Sequence, residues 1–276
     1  MVPSVLTATS RLLACVIDIN NWMSSNRLKL NGDKTEFIWL GTRTQLAKVN
    51  VTPLVIKGQS VTPSDKVRDL GVIIDNELKV DDHVRNVVRR CFYQLRQLRS
   101  VRQSLTTDTR GTLASAFIAS RVDYCNTVLY GVSAQATRRL QMVLNAGTRL
   151  VVGASRRNHI SPVRRDVLRW LPVTQQIQFK IAATAFDCIH GTGPTYFKDI
   201  CSTVVDTPSR ANLRSAHRGG MFVPRTRTQL CRRSFRVAAP TVCNTLPLHL
   251  RSPSISRGQF RAGLKTHLFN QAHTSV

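Results

Sequence analysis

The stretch from Asp81 to Arg99 constrains the fold more than any other part of the sequence. Its apolar residues fall on one stripe when about 100° is assigned to each residue, as in a helix. The stripe comprises Val84, Val87, Val88, Cys91, Leu95 and Leu98. Such a stripe needs a core to bury it, so the spacing predicts a helix from His83 to about Arg99 within a packed helical region.

Two adjacent aspartates, Asp81 and Asp82, precede this helix. Paired carboxylates can hold the two metal ions that clamp the attacking and leaving oxygens in phosphoryl transfer. At the start of a helix, carboxylates instead meet free N–H groups and the positive end of the helix dipole. We therefore interpret Asp81 and Asp82 as an N-cap and first turn, and we predict no metal ligand in this chain.

Arginines form a second stripe on the same helix, about a quarter-turn from the apolar one. Its members, which we call the arginine row, are Arg85, Arg89, Arg96 and Arg99. An apolar stripe flanked by guanidinium groups suits a helix that packs on its domain while following a phosphate backbone. The alternative interpretation is a basic face that only meets solvent.

The charge of the chain is concentrated in its second part. The whole chain carries +25, from 40 basic and 15 acidic residues. Residues 1–84 hold 10 Lys and Arg against 9 Asp and Glu, a net of +1, whereas residues 85–276 hold 30 against 6, a net of +24. A balanced first part and a strongly basic second part predict that the second part binds nucleic acid. The alternatives are simple solubility or the base composition of the gene.

The first 80 residues predict a small region of helix and strands. Apolar residues from Leu12 to Met23 recur at helical spacing, and Asn31-Gly32-Asp33 favours a tight turn. Alternation over residues 35–40 predicts a short strand. Residues 51–56 and 61–62 flank a glycine turn and predict a hairpin, while residues 66–75 predict one further strand with an internal glycine.

The rest of the chain predicts helices joined by irregular segments. Thr106-Thr107-Asp108 is a cap signal before helical periodicity, and a helix over Arg138–Val152 directs Arg138 and Arg139 away from its apolar side. Residues 203–233 predict a basic irregular segment with a short strand at 221–223, and a last helix covers 257–272. The predicted fold class is therefore α+β and mainly helical.

The cysteines and the length of the apolar runs indicate the cellular environment of the protein. The seven cysteines include no C-x-x-C pair and no histidine at zinc-finger spacing, which predicts reduced thiols of an intracellular protein, in the nucleus or the cytoplasm. No run approaches the ~18 apolar residues that a membrane span needs, so no membrane partner is expected.

Several blocks resemble the reverse transcriptases of LINE-type (non-LTR) retrotransposons, above all their jockey-like branch. The segment W-M-x-x-N-x-L-K-L-N-x-x-K-T-E at 22–36 is similar to the part that follows the catalytic aspartate hairpin in that family. K-V-x-x-L-G-V-x-x-D at 66–75, S-R-V-D-Y-C-N-x-x-L-x-G at 120–131 and F-x-x-x-L-K-T-x-L-F at 260–269 follow in the family's order.

The resemblance implies that the chain is the rear part of such an enzyme. Residues 1–80 would be a remnant of the palm with primer-grip-like strands, residues 81–200 a helical thumb, and residues 201–276 a basic C-terminal segment. Lys34 would be a remnant contact to the phosphates of the incoming nucleotide, and Leu70 and Gly71 would run against the primer end. The parent enzyme uses Mg²⁺, but the catalytic aspartates are not among the residues that match, so this chain is expected to need no cofactor and to have no polymerase activity alone.

Three positions depart from the family's pattern. Arg169 and Gln176 stand where the family has His and Arg, and Cys243 stands where it has Trp. These departures fit either divergence or decay. Three functions therefore stay open: a reverse transcriptase fragment that binds RNA or an RNA–DNA hybrid, a co-opted stand-alone nucleic-acid-binding protein, and a pseudogene product without function.

Overall fold

The computed structural model describes residues 5–49, 53–56, 58–155, 157–197, 200–207, 212 and 219–274. It is 60% helical with two small antiparallel two-stranded sheets, which confirms the predicted mainly helical α+β class. The chain divides into two compact units, Met1–His83 and Val84–Val276. The second unit contains both the expected thumb and the expected C-terminal segment, and the three-part division itself stays a prediction.

The first unit combines a long helix and a short one with two hairpins. Helix α1 covers Val5–Ser25, a 3₁₀ turn covers Gly32–Lys34 where the tight turn was predicted, and α2 covers Arg43–Leu46. One buried cluster consists of Phe37, Leu54 and Ile56, and Val72 and Val80 are buried as well. Partly buried side chains packed against this cluster are Leu12, Leu13, Val16, Leu30, Trp39 and Val61.

The first hairpin pairs β1, Leu54–Ile56, with β2, Gln59–Val61. Leu54 faces Val61 and Ile56 faces Gln59, which confirms the predicted hairpin. Gly58 has a φ of +79°, a conformation that glycine adopts without a steric cost. Val51, Thr52 and Lys57, also part of that prediction, lie outside the described residues.

The single strand predicted over 66–75 is wrong, because this stretch is a second hairpin. Strand β3, Lys66–Asp69, pairs antiparallel with β4, Val72–Asp75, and Asp69 faces Val72. Leu70 and Gly71 form the two-residue turn with φ of +43° and +89°. Positive φ at both central residues is the geometry of a type I′ turn, whose twist matches that of the strands it joins.

The strand predicted over 35–40 is also wrong. Phe37 forms only an isolated bridge with Pro63, through a hydrogen bond of 2.7 Å from the Ser64 N–H to the Phe37 carbonyl. The four strands that follow it in the chain pair with each other, β1 with β2 and β3 with β4. The segment therefore contributes to the core through Phe37, which packs edge-on against Trp39 at 5.1 Å, and adds no ladder.

Helix α3 covers Asp81–Ser100 and begins two residues before the predicted start. Asp81 and Asp82 lie in its first turn, as the cap interpretation predicted, and Asp82 forms an ion pair with Lys66. The carboxylate of Asp75 accepts hydrogen bonds from the N–H groups of Glu77, Lys79 and Val80, at 3.2, 2.8 and 2.7 Å. This carboxylate fixes the turn between β4 and α3.

Among the described residues of the second unit, the regular structure is helical. After α3 come α4 (Thr107–Ala114), α5 (Ser120–Asp123), α6 (Ala134–Val152), α7 (Ser161–Asp166), α8 (Val173–Ile189), α9 (Gln229–Arg232), α10 (Phe235–Asn244) and α11 (Arg257–Thr274). A π-helical turn, Ser115–Ala119, joins α4 to α5. The Thr106 side chain accepts a hydrogen bond from the Thr109 N–H, so the predicted cap is confirmed.

Helices α8 and α6 carry the core of this unit. Helix α8 packs against α10 and α11, and its buried Ala182, Ala183 and Ala185 let those neighbours approach closely. Phe186 of α8 stacks on Phe260 of α11 at a ring distance of 4.3 Å. Helix α6 packs against α4 and buries the apolar side that its spacing predicted: Leu140, Val143, Leu144, Gly147 and Val151.

The irregular segment predicted over 203–233 is partly wrong. It contains helix α9, whose first N–H groups are capped by Thr228 through a 3.1 Å hydrogen bond from the Cys231 N–H. The strand predicted at 221–223 is reduced to one bridge between Met221 and Thr203, because no second pair of residues continues the ladder there. Residues 208–211 and 213–218 of this segment lie outside the described part of the chain.

Candidate nucleic-acid interface

The arginine row lies on the outer side of α3. Val84, Cys91, Leu95 and Leu98 are buried, while all four arginines of the row are exposed. At about 100° per residue the four side chains lie within an arc of about 80°. The predicted separation of an apolar stripe from an arginine row is thus confirmed, and the binding role of the row stays a prediction.

A cleft of about 740 Å³ opens on one side of this row. We call it the α3–α6 cleft. It is lined by Phe92, Arg99, Arg102, Met142, Asn145, Ala146, Arg149, Leu150 and Ala154. Three guanidinium groups thus converge on a mainly apolar floor, and only Arg99 belongs to the predicted row.

The end of α6 makes room for one of these arginines. Gly153 ends the helix with a φ of +73°, and a Cβ there would lie 2.7 Å from Nη2 of Arg102. The guanidinium of Arg102 therefore lies close to the carboxyl end of α6, where the helix dipole favours a cation. A side chain at position 153 would therefore displace the guanidinium of Arg102.

A partly buried network of hydrogen bonds fixes Asn145 in the lining of the α3–α6 cleft. Nη1 of Arg164 donates to Oδ1 of Asn145 at 2.6 Å, and Nε2 of Gln141 donates to the same oxygen at 3.0 Å. The Val173 N–H in turn donates to Oε1 of Gln141 at 3.0 Å. Arg164 is only 6% exposed, and burial lowers the pKa of its guanidinium. The network fixes Asn145 at the cleft and gives the buried cation a partner.

A smaller cleft of about 360 Å³ lies on the other side of the row. We call it the α3–α5 cleft, and it is lined by Arg89, Arg90, Tyr93, Gln94 and Arg121. Tyr93 is 56% exposed, so an aromatic face lies among three cations. Burial raises the pKa of Cys91 to about 11, and the positive charge of Arg121 opposes this shift, which places Arg121 near the buried side of α3.

Three of the six acidic residues of the second unit form ion pairs outside the two clefts. Asp123 pairs with Lys180 at 2.8 Å, Asp187 with Arg257 at 2.7 Å, and Asp166 with its neighbour Arg165 at 2.6 Å. No carboxylate lines either cleft within the described residues. The basic surface around α3 thus keeps its positive potential, which is the condition for attracting a polyanion.

Arg138 and Arg139 lie apart from both clefts. They belong to the second turn of α6, about 16 Å along the helix from Arg149. Arg138 is exposed and Arg139 is half-buried. The structure therefore does not bring these two predicted contacts together with the cleft arginines.

The candidate residues of the first unit lie at two exposed turns. Lys34 is exposed at the end of the 3₁₀ turn, where its N–H donates to the Asn31 carbonyl at 3.3 Å. Leu70, 82% exposed, and Gly71 form the tip of the second hairpin. Their predicted roles toward a nucleotide and a primer end stay predictions.

The residues present do not fit a two-metal site. Asp81 and Asp82 are adjacent in a helical turn, and Asp82 is held by Lys66. Within the described part of the chain, no group of three or more His, Cys, Asp or Glu side chains is placed to hold a metal ion. All seven cysteines are free thiols. No step of a reaction is therefore assigned to Mg²⁺ in this chain.

The three departures from the family's pattern lie in different surroundings. Arg169 is exposed with a φ of +50°, and Gln176 is half-buried and donates to the Leu171 carbonyl at 2.7 Å. Cys243 is buried and lines a cavity of about 380 Å³ together with Phe186, Met221, Leu246 and Leu250. Cys243 therefore lies beside open space.

No family model, curated protein or solved structure matches this chain. Among the helices of the described residues, none has the length and apolar content required to cross a bilayer. The residues around α3 are therefore the basis on which a function is inferred.

Sequence reasoning missed most of the residues that line the two clefts. Arg102 lies beyond the end of α3, Arg121 belongs to α5, and Arg149 belongs to α6. Two sequence features could have indicated further cleft residues. Arg102 follows Arg99 at a spacing of about one helical turn, and Arg90 is adjacent to Arg89. Arg121 and Arg149 could be assigned only once the structure showed that α3 lines one cleft with α5 and the other with α6.

Proposed function

We propose that this chain binds nucleic acid through the surface around α3, as the thumb of a LINE-type reverse transcriptase fragment. The ligand is an RNA duplex or an RNA–DNA hybrid, gripped through its phosphates and its shape without reading of bases. The observation that carries the proposal is the exposed arginine row, flanked by two arginine-lined clefts that no described carboxylate enters.

The proposal assigns binding and no chemistry to this chain. Lys34 would keep the position of a phosphate contact without a reaction to serve, and no catalytic residue is named. Binding of this kind releases counterions, so affinity falls steeply with salt. The nucleic-acid partner places the protein inside the cell, in the nucleus or the cytoplasm.

The test compares two quadruple variants that lose the same charge. In the first, Arg85, Arg89, Arg96 and Arg99 are changed to Gln; in the second, the change is made at Arg225, Arg227, Arg232 and Arg236, which are equally exposed but lie outside α3. Affinity for a 20-base-pair RNA–DNA hybrid is measured by fluorescence anisotropy over a range of salt concentrations. We expect the row variant to lose at least about tenfold more affinity than its control.

The salt dependence adds a second measure. Each phosphate contact contributes about 0.7–0.9 to the slope of log K against log salt, so the row variant should lose about 3 from this slope. Equal losses in both variants would show that net charge alone drives binding. A wild-type chain without affinity for the hybrid at low salt would refute the proposal.

A further inference from the structure

The α3–α6 cleft offers a combination that a duplex does not use. Arg99, Arg102 and Arg149 provide three cations at its wall, while Phe92, Met142 and Leu150 contribute apolar surface. A duplex presents phosphates on its outside and keeps the faces of its bases stacked inside. An unpaired nucleotide, in contrast, presents a phosphate and an open base face at the same time.

The cations of the cleft lack anionic partners. None of the three arginines forms an ion pair within the described residues. Arg149 makes one long hydrogen bond, 3.4 Å from Nη2 to the Asn158 carbonyl, and its Nε is buried without a partner among the described residues. Three like charges around one recess repel one another, and a bound phosphate would relieve that repulsion through charge-assisted hydrogen bonds.

The size and the rigidity of the cleft also fit a small ligand. Its volume of about 740 Å³ lies within the range of about 300–1,000 Å³ that is usual for small-molecule sites. Asn145 is held in place by the bond from Arg164 and the bond from Gln141. Its position at the cleft is therefore fixed before a ligand binds, which lowers the entropy cost of binding.

We propose that the α3–α6 cleft binds a single unpaired nucleotide, with its phosphate on Arg99, Arg102 and Arg149 and its base against Phe92 and Met142. This inference deepens the proposed function and rests on it, because the nucleotide would belong to the strand whose duplex part lies on the arginine row. The cleft thus recognises the point at which a duplex ends and a single strand begins.

The test uses uridine 5′-monophosphate, uridine and inorganic phosphate as separate probes of the full chain, with ligand-observed NMR. We expect the monophosphate to bind at least about tenfold more tightly than either uridine or phosphate, because only the monophosphate engages the cations and the apolar surface together. Equal binding of inorganic phosphate would reduce the cleft to a general anion site. Binding of uridine as tight as that of the monophosphate would show that the arginines do not contribute to affinity. Either result overturns the proposal.

The decisive variant is Asn145→Asp, which keeps an acceptor for Arg164 and adds a negative charge to the cleft. We expect binding of the monophosphate to fall at least about tenfold. The control is Gln259→Glu, which adds the same charge at the start of α11 and keeps the oxygen that accepts from the Ser256 N–H at 3.1 Å. Arg99→Gln, a surface change, serves as a second variant if Asn145→Asp does not fold.

The wild-type chain separates this inference from the proposed function. Affinity for the hybrid duplex without binding of the monophosphate would refute the inference alone. Binding of the monophosphate that survives Asn145→Asp and Arg99→Gln would place the nucleotide outside this cleft and would also refute it. No binding of the hybrid by the wild type, with monophosphate binding intact, would refute the proposed function and the junction role, and would leave the cleft as a nucleotide site without a duplex.

Discussion

The two units of this chain differ in both charge and core. Met1–His83 carries a net charge of +1, and its buried core includes a cluster of Phe37, Leu54 and Ile56. Its helix α1 leaves Ile17, Ile19 and Trp22 exposed. Val84–Val276 carries +24 and buries long apolar runs of α6, α8, α10 and α11.

The larger buried core and the excess positive charge therefore belong to the same unit, Val84–Val276. A small unit buries a smaller fraction of its surface than a large one and therefore gains less from the hydrophobic effect. The larger unit has a core that can offset the mutual repulsion of its many arginines. We therefore expect Val84–Val276 to unfold at the higher temperature, and a cooperative transition of this unit would also argue against a pseudogene product that does not fold.

The largest expected effect comes from opening a cavity in either core. Leu144 of α6 is fully buried and Leu54 of β1 is 3% exposed. Leu144→Ala should cost about 3–5 kcal/mol and lower the upper thermal transition, whereas Leu54→Ala should lower only the transition of the first unit. Circular dichroism with thermal melting measures both. A single transition that both variants shift equally would contradict the comparison.

A smaller loss is expected when Asn145 is shortened. Asn145→Ala leaves the buried guanidinium of Arg164 without the acceptor that it bonds at 2.6 Å. Hydrogen bonds to charged groups contribute about 1.5–3 kcal/mol, so the upper transition should fall accordingly. Denaturant titration gives the free energy of unfolding. An unchanged value would show that Arg164 finds another partner.

A pair of glycines in the second unit should respond with opposite signs. Gly153→Ala places a Cβ at a φ of +73° and 2.7 Å from Arg102, and should cost about 1–2 kcal/mol. Gly111→Ala, inside α4, meets only Val151 at 3.9 Å and should stabilise by about 0.5–1 kcal/mol. The difference between their melting temperatures checks both signs. Destabilisation by Gly111→Ala would indicate that α4 has no room at this turn.

The smallest expected effect concerns pH and the first unit. His83 is 4% exposed, its Nδ1 accepts the Ile73 N–H at 3.4 Å, and burial lowers its pKa from the usual 6.5. The unfolded chain therefore binds the proton more readily than the folded chain. The stabilising contribution is present above pH 6.5 and is lost as pH falls through the lowered pKa of the folded state.

This loss should shift only the lower transition between pH 7.5 and 5. The variant His83→Gln should flatten that dependence, since Gln can accept the same hydrogen bond without titrating. A pH dependence that persists in the variant would assign the effect to another group.

The sequence predicted those features that depend on local periodicity. The apolar stripe of α3 and the inner side of α6 have a strong 3.6-residue period. The inner side of α6 is buried as expected, and so is the α3 stripe except for Val87 and Val88, which are half-buried. The mixed fold class followed from the same patterns. Local patterns failed at residues 66–75, where an internal glycine at 71 fits a bulge in one strand as well as the turn of a hairpin.

The candidate site could be predicted only in part, because it is assembled from distant segments. The arginine row belongs to one helix, and its outward direction follows from that helix alone. The clefts require α3 to pack beside α5 and α6, which brings Arg121 and Arg149 to opposite sides of the row. No local pattern encodes such a packing, so these arginines could not be assigned from sequence.

The carboxylate of Asp75 limits which residues the chain tolerates at this position. Both of its oxygens accept backbone N–H groups, and Asn in its place would lose one of the two acceptor oxygens. Arg169, in contrast, is exposed, so its replacement by another side chain costs little packing. Substitution at position 75 should therefore be tolerated less well than substitution at position 169.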